Sequence, residues 1–108
     1  MNRELIIKNK KCKMPKMDVD TYMEYLDLKE VCDADTAKGY NRQMIESMIL
    51  FICKAYGNQF TTEELKDIEN GGLDAAGIVL EFQLIDMGVA QEMTDKMEKI
   101  QKNFTKGK

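Results

Sequence analysis

Apolar residues along this chain fall into runs with helical spacing, separated by short polar punctuation. The widest run is Tyr40, Met44, Ile45, Met48, Ile49, Phe51, Ile52, Ala55 and Tyr56. It covers more than half the circumference of a helix that starts at about Ala37 or Asn41 and ends at Tyr56, the pattern of a helix buried from several sides. Gly57 and Asn58 follow, the two residue types that most easily take the left-handed conformation after a helix. Thr61 is a good N-cap, and Glu64, three residues on, can reach back to complete a capping box. Phe60 and Leu65 then occupy the two positions of a hydrophobic staple. Stop, cap, box and staple predict a rigid helix-turn-helix corner over Tyr56 to Leu65.

The other elements are placed relative to that corner. At the start of the chain Leu5, Ile7 and Cys12 alternate loosely, and a turn at Asn9-Lys10 would pair Glu4 to Lys8 with Lys11 to Met14 as a hairpin. Two strands alone are marginal in water, so the hairpin must lean on the helices or on another chain. Pro15 closes this segment. Asp18 or Asp20 caps a first helix to about Val31, with Tyr22, Tyr25, Leu26 and Cys32 on its apolar side. Asp33 to Gly39 lacks a calcium-loop ligand pattern and is expected to be a connection with a helix cap at Asp35 or Thr36. After the corner, Thr62 to Glu69 reads as a short acidic helix stopped by Asn70-Gly71-Gly72. Asp74 caps the next, with Ile78, Val79, Phe82, Ile85 and Leu84 at helical spacing and Gly88 as a stop or a kink.

A last amphipathic segment carries Val89, Met93, Met97, Ile100 and Phe104, with Glu92, Asp95, Lys96, Glu98, Lys99 and Lys102 on its other faces. The stripe is narrow, close to a coiled-coil seam. It has two readings: packing on its own domain, or pairing with another copy or a long helical client. These five residues are the candidate partner-binding positions. Lys106 to Lys108 should fray. The pattern as a whole predicts a mainly α fold of four to five helices with a short N-terminal β-hairpin. Residues 1–16 would form the hairpin arm and residues 17–108 the helical domain, one domain overall.

Composition narrows the function. At 108 residues with 44 % hydrophobic content, the chain should bury a modest core. A net charge of -3 argues against general binding to nucleic acid or anionic membrane. The helix after the turn is acidic (Glu63, Glu64, Asp67, Glu69), which would repel phosphates and excludes a DNA-reading helix-turn-helix. No run approaches a membrane span, and Met1 to Lys16 is too charged for a signal peptide. The lysines at 8, 10, 11, 13 and 16 read as a solvated arm that blunts a strand edge.

Catalytic signals are missing. There is no histidine, and Cys12, Cys32 and Cys53 are far apart, which suits reduced apolar filler and a cytoplasmic location better than a metal site. Glu63 and Glu64 are explained as first-turn residues, and Gly71-Gly72 has no phosphate-loop continuation. The expectation is a non-enzymatic protein with no cofactor and no metal. Methionine is abundant, nine residues; Met23, Met44 and Met48 lie in apolar stripes, while Met93 and Met97 suit an adaptable binding surface.

Phe51 to Leu73 reads as an apolar helix ending in aromatic-Gly, then Asn-Gln-Phe-Thr, a short acidic helix and a Gly-bearing turn. With the hairpin in front, this resembles the tail assembly chaperones of long-tailed phages and prophages of Gram-positive bacteria. Tyr56 stands where that family more usually has phenylalanine, and Asn70-Gly71-Gly72 departs a little from its usual loop. The resemblance implies a helical, non-enzymatic factor of the bacterial host cytoplasm that escorts the tape measure protein and recruits the major tail protein. It further implies absence from the finished virion, and often a longer frameshifted companion. The alternative is a small prophage-encoded regulatory protein that inhibits a host factor through the same helical surface.

Overall fold

A computed structural model describes residues 2–34 and 39–106, with the side chains of residues 34 and 104–106 left out. Two strands, β1 (Glu4–Ile7) and β2 (Lys10–Lys13), precede α1 (Val19–Ala34), α2 (Arg42–Ala55), α3 (Thr62–Lys66), a single 3-10 turn (Ile68–Asn70) and α4 (Ala75–Lys106). The fold is mainly α with an N-terminal hairpin, as the periodicity predicts. The expected caps at Asp35 or Thr36, and Gly107 and Lys108 of the end expected to fray, lie outside the described residues, while the backbone of Lys106 is still helical.

The hairpin is antiparallel, with Ile7 opposite Lys10 and Leu5 opposite Cys12. Its two-residue turn is Lys8-Asn9, with φ of 52° and 62°, one position earlier than expected. A type I′ turn needs positive φ at both central residues, and this register also points Ile7 and Cys12 to the same buried face. The hairpin does lean on the helices. The Lys8 amide donates to the Asn70 carbonyl at 2.8 Å, the Gln59 side chain donates to the Lys13 carbonyl at 2.6 Å, and Met14 joins Ile7 and Cys12 in the core.

Asp18 begins α1, its carboxylate accepting from the Thr21 amide at 2.7 Å. The buried face is Thr21, Tyr25, Leu28 and Cys32; Leu26, expected inside, is exposed, as is Met23. Steps of four, three and four from Thr21 put Leu28 rather than Leu26 on the stripe. Asn41 caps α2 through the Met44 amide at 2.8 Å, so of the two expected starts the later holds, and Tyr40 stays exposed. α2 is the central helix, with Met44, Met48, Ile49, Phe51, Ile52, Cys53 and Ala55 buried. Tyr25, Phe51 and Phe82 stack mutually at 5.9–6.3 Å between ring centroids and knit α1, α2 and α4 together.

The corner has the predicted chemistry. The Asn58 amide donates to the Cys53 carbonyl and the Gly57 amide to that of Lys54, both at 2.9 Å, with φ of 57° and 69°. That pair of bonds is a Schellman stop. The Thr61 amide donates to Glu64 Oε1 at 2.9 Å and the Glu64 amide to Thr61 Oγ1 at 3.1 Å, the reciprocal capping box. Phe60 and Leu65 are both buried. α3 is shorter than expected, ending at Lys66 because the chain turns at Asp67, whose carbonyl receives the Gly72 amide at 2.8 Å. Gly71 stops the following turn at φ 91°, where an added Cβ would strike the Ile6 carbonyl oxygen.

Asp74 caps α4, accepting from the Gly77 amide at 2.7 Å. From there the helix runs 32 residues without interruption through Gly88, so the expected stop does not occur. A lone glycine costs a helix only about 1 kcal/mol, and the buried contacts of Ile85 and Val89 on either side outweigh it.

Candidate protein-binding surface

Two polar clamps hold α4 to the rest of the molecule. In the first, Glu81 is 3 % exposed and sits on the apolar stripe between Ile78 and Ile85. It accepts two bonds from the Arg3 guanidinium, that from Nε at 3.1 Å, and one from the Tyr56 hydroxyl at 2.9 Å. Hairpin, corner and α4 therefore meet at one carboxylate. Burial, and then the negative Glu81, push the Tyr56 hydroxyl well above the ordinary tyrosine range. In the second clamp, Asp86 accepts from the Tyr25 hydroxyl and from Lys29 Nζ at 2.9 Å, tying α4 to α1. Burial and the Asp86 bond push Tyr25 up to about 12.

These clamps are satisfied: no buried side-chain polar atom among the described residues lacks a partner. The arrangement fixes geometry rather than offering a reactive group. Sequence reasoning missed both carboxylates. The available signal was an acid at position 81, between apolar residues three before and four after it, where a helix places its buried face.

The clamps and the core hold α4 only over its first half. Val89, the first of the five candidate positions, is buried (8 % exposed) and closes the core. Met93 is 43 % exposed on the wall of a groove, while Met97 and Ile100 are 61 % and 67 % exposed. The backbone at Phe104 continues the helix; its side chain lies outside the description. Met93, Met97 and Ile100 thus extend the buried stripe of α4 past the point where the body stops covering it. The groove beside Met93, about 650 Å³, has Met14, Tyr22 and Val89 among its apolar walls, with Asp18, Glu92 and Asp95 at its rim.

Overall dimensions agree with a projecting helix. The radius of gyration is 15.9 Å, against about 13 Å for a compact domain of this length. The accessible surface is 7750 Å², where a compact monomer of 12.4 kDa would expose about 6,100 Å².

Other chemistry is sparse. The three cysteines are free and buried, and burial raises the thiols of Cys32 and Cys53. Glu64 is held below the usual carboxylate range by the Thr61 amide and next by Lys8, while Glu63 pairs with Lys66 at 3.4 Å. Both glutamates act as helix-start residues. Among the described residues no group of three or more potential ligands could hold a metal ion, and no helix is long and apolar enough to cross a membrane. A second groove, between α1 and α2, is lined by Leu28, Val31, Leu50 and Phe51.

A family model described as phage tail chaperone protein matches residues 1–106. No curated protein and no solved structure matches the chain.

Proposed function

The chain belongs to the phage tail chaperone family, and from that premise we propose that it escorts tail proteins by laying the projecting half of α4 against them. The clients are the tape measure protein, a long helical chain, and the major tail protein that polymerises around it. The observation that carries this reading is the apolar stripe of Met93, Met97 and Ile100, exposed on a helix whose preceding turns are buried. A bare helical stripe of methionine and isoleucine suits a helical client, whose own apolar stripe it can cover. Methionine adapts its shape, which lets one surface serve two clients. The escort works in the host cytoplasm and leaves before the virion is complete.

The holding surface is reversible by construction. Three exposed side chains cover little area, so a client polymerising into a tube can displace them. The test is co-expression of the chain with a tagged tape measure protein of the same phage, then with the tagged major tail protein. Stoichiometric co-purification with at least one is expected, and its loss on Met97→Asp with Ile100→Asp. Retention of both clients by that variant would contradict the assignment to α4.

A further inference from the structure

We infer that the open edge of β2 takes a third strand, an extended acidic segment of another protein that lays carboxylates beside Lys11 and Lys13. This site is separate from the stripe on α4 and does not depend on it.

The hairpin has one covered edge and one open one. On the β1 side the Lys8 amide donates to the Asn70 carbonyl, and Gly71 lies so close to the Ile6 carbonyl that an added Cβ would strike it. On the β2 side the sheet ends. Ile7 and Lys10 flank the two-residue turn, and the Met14 amide donates back to the Arg3 carbonyl at 2.9 Å. In an antiparallel ladder of that register the amides and carbonyls of Lys11 and Lys13 point away from β1. Among the described residues these four groups receive one bond, from the Gln59 side chain to the Lys13 carbonyl at 2.6 Å. A carbonyl oxygen accepts twice, so the edge is open along its length.

Charge decides what kind of strand fits. Lys11 and Lys13 alternate with the buried Cys12, so both side chains stand on the solvent face, about 7 Å apart along the strand. With Lys8 and Lys10 they make four lysines, against which the fold sets two carboxylates. Glu64 lies 3.2 Å from Lys8, and Glu4 lies 3.7 Å from Lys11 across the hairpin. Lys10 and Lys13 have no acidic partner among the described residues. In a chain with a net charge of -3 the edge is a basic island.

The same features exclude other occupants. A second copy would bring its own lysines to the edge, and its acidic helices α1 and α3 have already committed their backbone. A nucleic acid would meet the outward carbonyls as well as the amides, on a protein whose net charge repels it. A polypeptide strand matches both backbone groups, and acidic side chains at alternate positions match the lysines. Two strands alone are marginal, so a third also steadies the hairpin. An extended segment is free only until its owner folds or assembles, so the edge distinguishes unassembled chains from assembled ones.

The experiment titrates the full chain, labelled with nitrogen-15, with an acetylated hexapeptide alternating glutamate and valine at low ionic strength. The Lys11 and Lys13 amides are expected to shift and to exchange more slowly with solvent. Lys11→Glu with Lys13→Glu, both exposed, should weaken binding about tenfold with an unchanged melting temperature. N-methylation of the peptide keeps its charge. Placed on the glutamates and then on the valines, it should abolish binding in one set and spare it in the other, because only alternate amides of a strand face its neighbour. Unmoved Lys11 and Lys13 amides in millimolar peptide, equal binding of a peptide with lysine in place of glutamate, or equal binding of both N-methylated forms overturns the strand. Tighter binding of oligothymidylate than of the acidic peptide overturns the polypeptide assignment. Met97→Asp with Ile100→Asp should bind the peptide as the parent does; loss of binding there overturns the independence of the two sites.

Discussion

Replacing Glu81 with alanine should be the most damaging single polar change available in this fold. The substitution leaves the Tyr56 hydroxyl, on a fully buried side chain, without its partner at 2.9 Å. An unsatisfied buried donor costs about 1–3 kcal/mol. The Arg3 side chain keeps 29 % exposure and can turn to water, so its loss is discounted to roughly 1 kcal/mol or less. Lost methylene packing adds about 1 kcal/mol. The sum is about 3 kcal/mol, a large share of the 5–15 kcal/mol typical of a domain. Equilibrium urea unfolding followed by far-ultraviolet circular dichroism measures it, and a melting temperature lower by about 12 °C should accompany it. Arg3→Ala leaves the buried Glu81 carboxylate without its counter-charge and with the Tyr56 hydroxyl as its remaining partner in this clamp, so it should cost roughly 2 kcal/mol, and a double-mutant cycle of Glu81→Ala with Tyr56→Phe should show coupling of about 1 kcal/mol. If Glu81→Ala unfolds within 0.5 kcal/mol of the parent, the clamp does not hold α4 to the corner and the reasoning fails.

Thr61→Ala removes the cap at the start of α3 and should lower stability by about 1 kcal/mol in the same assay. Gly71→Ala forces a side chain into φ 91° and against the Ile6 carbonyl, so a loss of about 2 kcal/mol or more and a loosened hairpin in amide exchange are expected. Tyr25, raised to about 12 when folded, favours the neutral phenol: its contribution is complete below the unfolded value near 10 and is lost as pH climbs through the folded one. Tyr25→Phe should therefore remove a component of the 295 nm alkaline titration near pH 12 and flatten the fall of stability between pH 10 and 12.

What the sequence made legible was mostly local. The corner from Tyr56 to Leu65 could be read residue by residue because caps, boxes and staples are satisfied by neighbours a few positions apart. The hairpin's existence was legible and its turn misplaced by one residue, since Lys8 accepts a positive φ only because strand register and the bond to Asn70 impose it. Leu26 and Leu28 are two residues apart on one helix, and which faces inward depends on where α2 lies, a tertiary fact. Gly88 looked like a stop or a kink, and the helix does not stop there, because local propensity cannot weigh the packing of Ile85 and Val89 against it. Glu81 and Asp86 were invisible as a site because their partners come from as far as 78 residues away. The stripe of α4 was visible throughout, but where cover ends along it was not; that boundary, between Val89 and Met97, is set by the length of the body packed on the helix.

The central claim is that the exposed end of α4 binds protein and contributes little to folding. The direct measurement compares Met97→Asp with Ile100→Asp against the parent in two readouts: urea unfolding, and binding of a purified tape measure fragment by titration calorimetry. Exposures of 61 % and 67 % predict a stability change within about 0.5 kcal/mol and loss of the binding heat. Unfolding of the double variant, or binding heats equal to the parent's, would contradict the account.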